Sequence, residues 1–176
     1  MSAVDIRPLS HTPDNVAALS RILIDVVAGG GSVSFMHPLS PGDAAAFWEA
    51  SLDAADAGQR LVLGAYVGDA LAATVTLDLA TPPNQPHRAD IAKLMTAPAH
   101  RGRGHARALM LEAERRAIAA GRTLLTLDTA AEDGAAGLYE GVGFQFAGEI
   151  PDYALKPHGG LTGTRLYYKR IGASPR

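Results

Sequence analysis

The chain has 176 residues, 47% of them hydrophobic, which is enough for a buried core and suits one domain better than two. Its formal net charge of -2 gives no basic excess of the kind that favours nucleic acid or anionic membranes, so a small-molecule partner is expected. Because cysteine is absent, disulfides, thiolate metal ligands and a cysteine nucleophile are excluded. No apolar run approaches the roughly 18 residues that span a bilayer, and a cytoplasmic location is expected.

The first third of the sequence predicts one short strand and two helices. The strand is expected near residues 4–8. Thr12 followed by Pro13 is typical of a helix N-cap with proline at the first helical position, and the helix should end at the glycines 29–31. Ser40 begins a second helix, with an acid three positions later that can reach back to the cap. The expected inner face of the second helix consists of Phe47, Trp48, Leu52 and Ala55.

From residue 60 the spacing of the apolar residues changes from that of a helix to that of a strand. Residues 61–67 and 70–79 predict a hairpin, and 89–96 predict a third long strand before Pro98. A long helix should run from Gly104 to Gly121 with Leu109, Met110, Ala113 and Ala117 facing inward. The remaining predictions are a strand at 123–128, a short helix at 133–141, and strands at 144–149 and 165–171. One domain over residues 1–172 with a disordered tail at 173–176 is expected.

A glycine- and arginine-rich turn joins the third long strand to the long helix. Glycines let backbone N–H groups approach an anion, the helix N-terminus adds free donors, and arginines add charge, so the turn predicts a phosphate site. A P-loop is excluded because His105 and Ala106 follow the last glycine in place of Lys-Ser or Lys-Thr. A dinucleotide fingerprint is disfavoured by Arg107. An arginine-rich turn without a ligand is the alternative.

Two motifs together resemble the GNAT superfamily of acetyl-CoA-dependent N-acetyltransferases. Arg-x-x-Gly-x-Ala at 101–106 is similar to the family's loop for the diphosphate of acetyl-CoA, and Ala-x-x-Leu-Tyr-x-x-x-Gly-Phe at 135–144 resembles its second signature. The resemblance is strongest over 88–149. Within the superfamily, segments 29–36 and 88–95 look like the tabtoxin-resistance acetyltransferases, which implies a small acceptor such as an amino-acid toxin.

The resemblance implies an α/β (α+β) GNAT fold. The expected sheet is mixed, mostly antiparallel and twisted, with six to seven strands, about four flanking helices and a V-shaped cofactor cleft between the third and fourth long strands. The acetyl group of acetyl-CoA would be attacked directly by a primary amine in a ternary complex. The implied cofactor-binding residues are Leu94, Met95, Thr96, Arg101, Gly102, Arg103, Gly104, His105, Ala106 and Arg107.

Three side chains are implied in catalysis. Tyr139 would donate a proton to the departing CoA thiolate, or else is a core tyrosine. Asp90 and Asp128 stand at strand positions that their low β-propensity disfavours, and by resemblance they flank the acceptor amine, with Ser32 and Phe35 nearby. A carboxylate with an ordinary pKa of about 4 is a weak base toward an ammonium of about 10, so burial or a water must assist. Structural pairing with an arginine is the alternative for each aspartate.

Two positions depart from the family pattern. Glu132 stands where an asparagine is frequent, which puts a pantetheine contact in doubt. His105 replaces an aliphatic residue and is expected to face solvent, unless it donates to the diphosphate.

Other functions remain open at this level. They are a protein N-terminal or lysine acetyltransferase, a non-catalytic CoA sensor, and an ATP-binding module. No metal-site spacing is evident, and a monomer or homodimer without nucleic-acid or membrane partners is expected.

Overall fold

The computed structural model describes residues 4–172, and this part of the chain forms one seven-stranded sheet. The order across the sheet is β1-β2-β3-β4-β5-β7-β6, and every neighbouring pair is antiparallel except β4 and β5, which are parallel. The strands are β1 Asp5–Pro8, β2 Arg60–Val67, β3 Ala70–Asp78, β4 Arg88–Thr96, β5 Leu124–Ala130, β6 Gln145–Leu155 and β7 Leu161–Arg170.

Four helices flank the sheet in the described part of the chain: α1 Pro13–Ala28, α2 Pro41–Asp56, α3 His105–Ala119 and α4 Ala136–Gly141. The hydroxyl of Thr12 accepts the N–H of Asn15 at 3.2 Å, which caps α1. Ser40 caps α2 by accepting the N–H of Asp43 at 3.1 Å, and it donates its own proton to the Asp43 carboxylate at 2.7 Å. Both predicted helix starts are therefore confirmed.

Two hydrophobic clusters lie on opposite faces of the sheet. The first joins α3 and α4 to the sheet and buries the four predicted inner residues of α3, Leu109, Met110, Ala113 and Ala117. The second joins α1 and α2 to β2 and to the end of β4, around the fully buried Trp48. Of the predicted inner face of α2, Trp48 and Leu52 are buried, whereas Phe47 and Ala55 are half-buried.

The parallel pair β4 and β5 separates after a short region of contact. Residues 88–90 pair with 124–126, and beyond them no further pair is formed, so the two strands open into a V. A bulge in β4 accompanies the opening, with Lys93 at φ 52° and a register shift against β3. The predicted fold class, including the cleft between the third and fourth long strands, is thereby confirmed.

The prediction for the last two strands was too short. They extend to residues 155 and 161 as a long hairpin, although Pro151 and Asp152 (φ 53°) interrupt the β-pattern. The interruption is tolerated because β6 is an edge strand that pairs with β7 alone, so the N–H that proline lacks is not needed by a second neighbouring strand. The register against β7 shifts at the same place, between Ile150 and Ala154. The predicted tail at 173–176 lies outside the described residues. Among the described helices, none combines the length and apolarity needed to cross a membrane.

Candidate active site

The opening between β4 and β5 leads into a cavity of about 630 Å³. One wall is the second half of β4, residues 91–96, and the other is the end of β5, residues 127–130. The loop after α1, residues 29–35, and the β6 residues 153–155 also line the cavity. The cavity therefore follows directly from the separation of the two parallel strands.

The loop after α1 is held against the turn of the β6–β7 hairpin. The His158 ring nitrogen lies 2.9 Å from the carbonyl oxygen of Ala28. The N–H of His37 donates to the carbonyl of Pro157 at 2.9 Å, and the rings of His37 and His158 are 4.5 Å apart. These contacts hold the loop at 29–35, which lines the cleft, in place.

The glycine-rich turn lies at the other end of the cleft and has the geometry of an anion site. Gly102 and Gly104 have φ values of 72° and 82°, which only glycine adopts without strain. Among the described residues, the N–H groups of 102–104 have no protein acceptor, and the first-turn N–H groups of α3 follow directly. Arg101 lines the cleft, while Arg103 and Arg107 are exposed beside the turn. Free donors and positive charge on an open backbone fit a diphosphate.

His105 does not face solvent, which corrects the expectation for this residue. Its side chain is 5% exposed, and neither ring nitrogen has a hydrogen-bond partner in the described part of the protein. Burial, together with the nearby His100 and Arg103, lowers the pKa of His105 and so favours the neutral ring. The position is the inward-facing start of α3, so His105 occupies a place that an aliphatic residue would fill equally well.

Tyr139 lies on α4 with its side chain at the cleft. It is 7% exposed and packs against the rings of Phe144 and Tyr167, at 6.3 Å and 5.8 Å between centroids. Burial raises the pKa of Tyr139 to about 12, although a hydrogen bond with Thr129 opposes the shift. The phenol therefore keeps its proton throughout the neutral and mildly alkaline range and is available as a donor.

The two predicted aspartates lie in different surroundings. Asp128 stands two residues beyond the last parallel pair and lines the cavity, with Thr164 Oγ1 3.4 Å from its carboxylate. Asp90 lies at the last parallel pair and does not line the cavity. Its carboxylate is bonded to Arg88 Nη1 and to the hydroxyl of Thr126. An arginine and a threonine thus use the Asp90 carboxylate to join β4 to β5, which is the structural pairing given above as the alternative for this residue.

Sequence reasoning missed a lysine inside the cleft. Lys93 projects from the bulge of β4, is half-buried, and donates to the hydroxyl of Ser34 at 3.2 Å. Its ammonium also lies 5.6 Å from the centre of the Phe47 ring. Burial lowers the pKa of Lys93, although the charge of Asp128 opposes the shift. A charged residue inside the apolar run Ile91–Met95 was the signal that could have revealed it.

A second acid, Asp133, lines the cleft beside Asp128 and was not predicted. Burial raises the pKa of Asp133, and the backbone of Ser32 opposes the shift through a hydrogen bond to the carboxylate. The predicted Ser32 and Phe35 both lie in the loop that covers the cavity, and the buried hydroxyl of Ser32 has no partner among the described residues. Glu132 points elsewhere and pairs with Lys156 at 3.1 Å.

The predicted cofactor residues of β4 line the same cavity, opposite Asp128. Leu94 and Thr96 are half-buried, whereas the Met95 side chain is 3% exposed in the second hydrophobic cluster. Any contribution of Met95 to the cleft therefore comes from its backbone. Among residues 4–172, no group of three or more His, Asp or Glu side chains could hold a metal ion.

A cleft between separated parallel strands, a turn with free backbone donors at a helix N-terminus and a buried tyrosine at the cleft fit a coenzyme A thioester as the ligand. The model of the acetyltransferase (GNAT) family matches residues 32–144, about two thirds of the chain, and the chain belongs to this family. It is an acetyltransferase whose acetyl donor is acetyl-CoA.

Solved structures share the fold over nearly the whole chain. An N-acetyltransferase from Staphylococcus aureus Mu50 is 17% identical with a TM-score of 0.81, over 97% of this chain and 100% of that one. The yncA protein of Salmonella typhimurium, solved with its cofactor acetyl-CoA, is 16% identical with a TM-score of 0.78, over 99% and 97%. A ribosomal-protein-alanine N-acetyltransferase from Brucella melitensis is 20% identical with a TM-score of 0.78, over 94% and 99%. At identities of 16–20%, these comparisons show that the fold is shared.

Proposed function

We propose that this acetyltransferase transfers the acetyl group to a primary amine of a small molecule that also carries an anionic group, as an amino acid or amino-acid toxin does. The acceptor half of the cleft contains charges of both signs. Asp128 stands on one wall and Lys93 on the other, so both side chains face the same cavity.

 The combination suits a zwitterionic acceptor, because Asp128 attracts its ammonium while Lys93 attracts its oxyanion.

The single observation that carries this proposal is the placement of Lys93 inside the cleft. This half-buried ammonium has a neutral hydroxyl as its hydrogen-bond partner in the described residues, and Asp128 acts on it only from across the cleft, without an ion pair. An oxyanion bound beside Lys93 would therefore offset part of the cost of burying its charge. The unpartnered hydroxyl of Ser32 lines the same region and could donate to the same anion. Polyamines are disfavoured as acceptors, since they would bring a second cation toward Lys93.

The proposed chemistry assigns one role to each group around the cleft. Asp128, directly or through a water, takes a proton from the acceptor ammonium, and the neutral amine attacks the thioester carbonyl. Backbone N–H groups within Leu94–Thr96 polarise that carbonyl, as the family resemblance implies. The tetrahedral species collapses, the carbon–sulfur bond breaks, and Tyr139 gives its proton to the departing thiolate. The nitrogen loses its second proton, which returns to Tyr139 through solvent, and Asp128 releases the first proton to solvent. Asp90 has no role in these steps.

The loop at 29–35, which lines the cleft, favours a small acceptor over a protein. Ala28 and His37 on either side of this loop bond to His158 and Pro157 of the hairpin turn, so the loop is held in place and narrows the room for an extended peptide. A protein N-terminus remains the second candidate acceptor. A non-catalytic CoA sensor would need neither a buried tyrosine at the cleft nor an acid opposite it.

The proposal is tested by thiol release from acetyl-CoA with matched pairs of acceptors. Each amino acid is compared with the amine that lacks its carboxylate, and short peptides with free N-termini form a third group. We expect the amino acids to have the higher kcat/KM, and we expect Lys93→Met to remove that preference. If the peptides are the better substrates, the acceptor assignment is wrong. If CoA binds but no amine is acetylated, the protein is a sensor.

A further inference from the structure

Lys93 is a primary amine held in the cavity where the acetyl acceptor is expected. The chain has three lysines, at positions 93, 156 and 169. Lys156 pairs with Glu132 and Lys169 with Glu114, whereas no carboxylate lies within ion-pair distance of Lys93 in the described residues. Lys93 is also the one lysine of the three that lines the cleft.

We propose that Lys93 is a self-acetylation site: without an acceptor, its Nζ takes the acetyl group of the acetyl-CoA bound in its own cleft. This inference rests on the proposed function, because it uses the same thioester and the same proton donor. It goes beyond that function by assigning a covalent modification to the protein itself.

The geometry supports access of the lysine to the reacting carbon. Lys93 precedes Leu94, the first of the residues whose backbone is assigned to the thioester, and it belongs to the same bulge of β4. Its present hydrogen bond to Ser34 is 3.2 Å long, to a neutral partner, and is therefore easily exchanged. The flexible four-carbon stem then lets the nitrogen move within the cavity.

The charges around Lys93 govern when the nitrogen is nucleophilic. Asp128 faces it across the cleft and favours the ammonium, whereas Arg60 and burial both favour the neutral amine. Ser34 and Phe47, which contact the lysine from the loop and from α2, carry no charge. An acceptor with an oxyanion would supply the missing counter-ion and keep the lysine protonated. Bound acceptor should therefore protect Lys93.

The reaction balances without any further reactant. The Lys93 ammonium loses one proton to solvent, and the neutral nitrogen attacks the thioester carbonyl. The carbon–nitrogen bond forms, the carbon–sulfur bond breaks, and the nitrogen loses a second proton to Asp128. Tyr139 protonates the thiolate and recovers a proton from Asp128 through solvent. The products are an uncharged Nε-acetyl-lysine, free CoA and one proton released to solvent.

Mass spectrometry of the intact chain and of its peptides tests this inference. The full-length protein is incubated with acetyl-CoA without an acceptor, and we expect one acetyl group at Lys93, accompanied by release of one thiol per chain. Lys156, whose side chain is 41% exposed, is the internal control for uncatalysed acetylation. Acetic anhydride, which needs no binding site, should instead label Lys156 faster than Lys93.

Two variants show whether the cleft performs the reaction. Lys93→Arg keeps the positive charge but cannot be acetylated under these conditions, so the adduct should disappear while CoA binding persists. Tyr139→Phe should slow labelling of Lys93 by about tenfold or more and leave labelling of Lys156 unchanged. An amino acid that the enzyme acetylates should protect Lys93, and the amine lacking the carboxylate should protect it less.

The inference is overturned if Lys93 stays unmodified in a protein that binds acetyl-CoA and acetylates an added amine. It is equally overturned if Lys156 is labelled by acetyl-CoA as fast as Lys93, or if Tyr139→Phe has no effect on the labelling of Lys93. A protein that binds CoA but acetylates neither itself nor any amine contradicts the proposed function as well, so the two failures are distinguishable.

Discussion

Asp90 and Asp128 lie on neighbouring strands but on opposite sides of the point where β4 and β5 separate. Asp90 is opposite Thr126 in the last parallel pair, and its carboxylate bonds to that threonine and to Arg88. Asp128 is two residues farther along β5, where only β7 remains as a neighbour, and it lines the cavity. Both aspartates lie on strands, but Asp90 joins two strands through its contacts, whereas Asp128 lies in the cleft, where a ligand can reach it.

The first prediction compares Asp128→Asn with Asp90→Asn. We expect Asp128→Asn to lower kcat by roughly 10²–10⁴-fold, because it removes the proposed base while keeping the shape of the side chain. Asp90→Asn should leave kcat and KM within about twofold of the parent enzyme and lower the free energy of unfolding by up to about 1 kcal/mol. Steady-state kinetics and chemical denaturation of both variants provide the comparison. Equal losses of kcat in the two folded variants would refute the distinction between these aspartates.

The second prediction concerns Tyr139→Phe, which removes the hydroxyl but keeps the ring packed against Phe144 and Tyr167. The value of kcat should fall by roughly 10²–10⁴-fold, and the dissociation constant of CoA should hardly change. Titration calorimetry with CoA separates binding from turnover. A variant that turns over at the parent rate would leave Tyr139 as a packing residue only.

The third prediction follows from the pKa of the same tyrosine, which burial raises to about 12. A proton donor is active below its pKa, so Tyr139 should remain active at every pH up to about 10. The value of kcat should therefore show no alkaline decline within that range. A pH profile with a suitable acceptor measures this, and a decline near pH 9 that Tyr139→Phe abolishes would contradict the assignment.

The fourth prediction uses two glycines at opposite ends of α3. Gly104 and Gly121 have φ values of 82° and 75°, and an added Cβ meets no atom within 4 Å at either position. In Gly121→Ala the backbone strain should lower the free energy of unfolding, by about 1–2 kcal/mol. In Gly104→Ala the exposed loop relaxes when CoA is absent, so the same strain opposes CoA binding instead and should weaken it by about 5- to 30-fold. Similar CoA affinities in the two variants would show that the turn does not bind the diphosphate.

The fifth prediction concerns His105, whose buried ring has no hydrogen-bond partner among the described residues. His105→Leu should raise the free energy of unfolding by about 1 kcal/mol, and the melting temperature by about 2–4 °C.

The gain from His105→Leu should also depend on pH. The folded-state pKa of His105 lies below its ordinary value of 6.5, so the unfolded chain takes up the proton first as the pH falls. The free energy of unfolding of the parent protein therefore falls as the pH decreases from about 6.5 to the folded-state pKa of His105. The leucine variant has no histidine at this position, so its stability does not fall for this reason. Thermal unfolding of both proteins at several pH values measures the difference. If the difference in melting temperature between the two proteins were the same at every pH, the lowered pKa of His105 would be contradicted.

The helix starts and the main elements were predictable because their signals are local. The caps at Thr12 and Ser40 and the inner face of α3 depend on residues three or four positions apart. The extension of the β6–β7 hairpin was not predictable in this way. Pro151 weakens the local strand signal, and only the edge position of β6 makes the proline harmless.

The candidate site was predictable only as far as its motifs extend along the chain. The turn at 101–107 was predicted from its glycines and arginines at a helix start, and Tyr139 from the resemblance of residues 135–144 to the family's second signature. Lys93 was missed because a bulge in β4 decides which way its side chain lies, and a bulge arises from pairing with β3. Asp90 and Asp128 could not be told apart because the point of strand separation is a property of the sheet.

The measurement that tests the account most directly is a crystal structure of the protein with bound CoA. We expect the diphosphate on the N–H groups of residues 102–106, the pantetheine arm between β4 and β5, and the sulfur within hydrogen-bond distance of the Tyr139 hydroxyl. Asp128 and Lys93 should line the space in front of the sulfur, and Asp90 should keep its contacts with Arg88 and Thr126. A diphosphate bound away from the turn, or a sulfur out of reach of Tyr139, would contradict the central claim that this cleft carries out acetyl transfer.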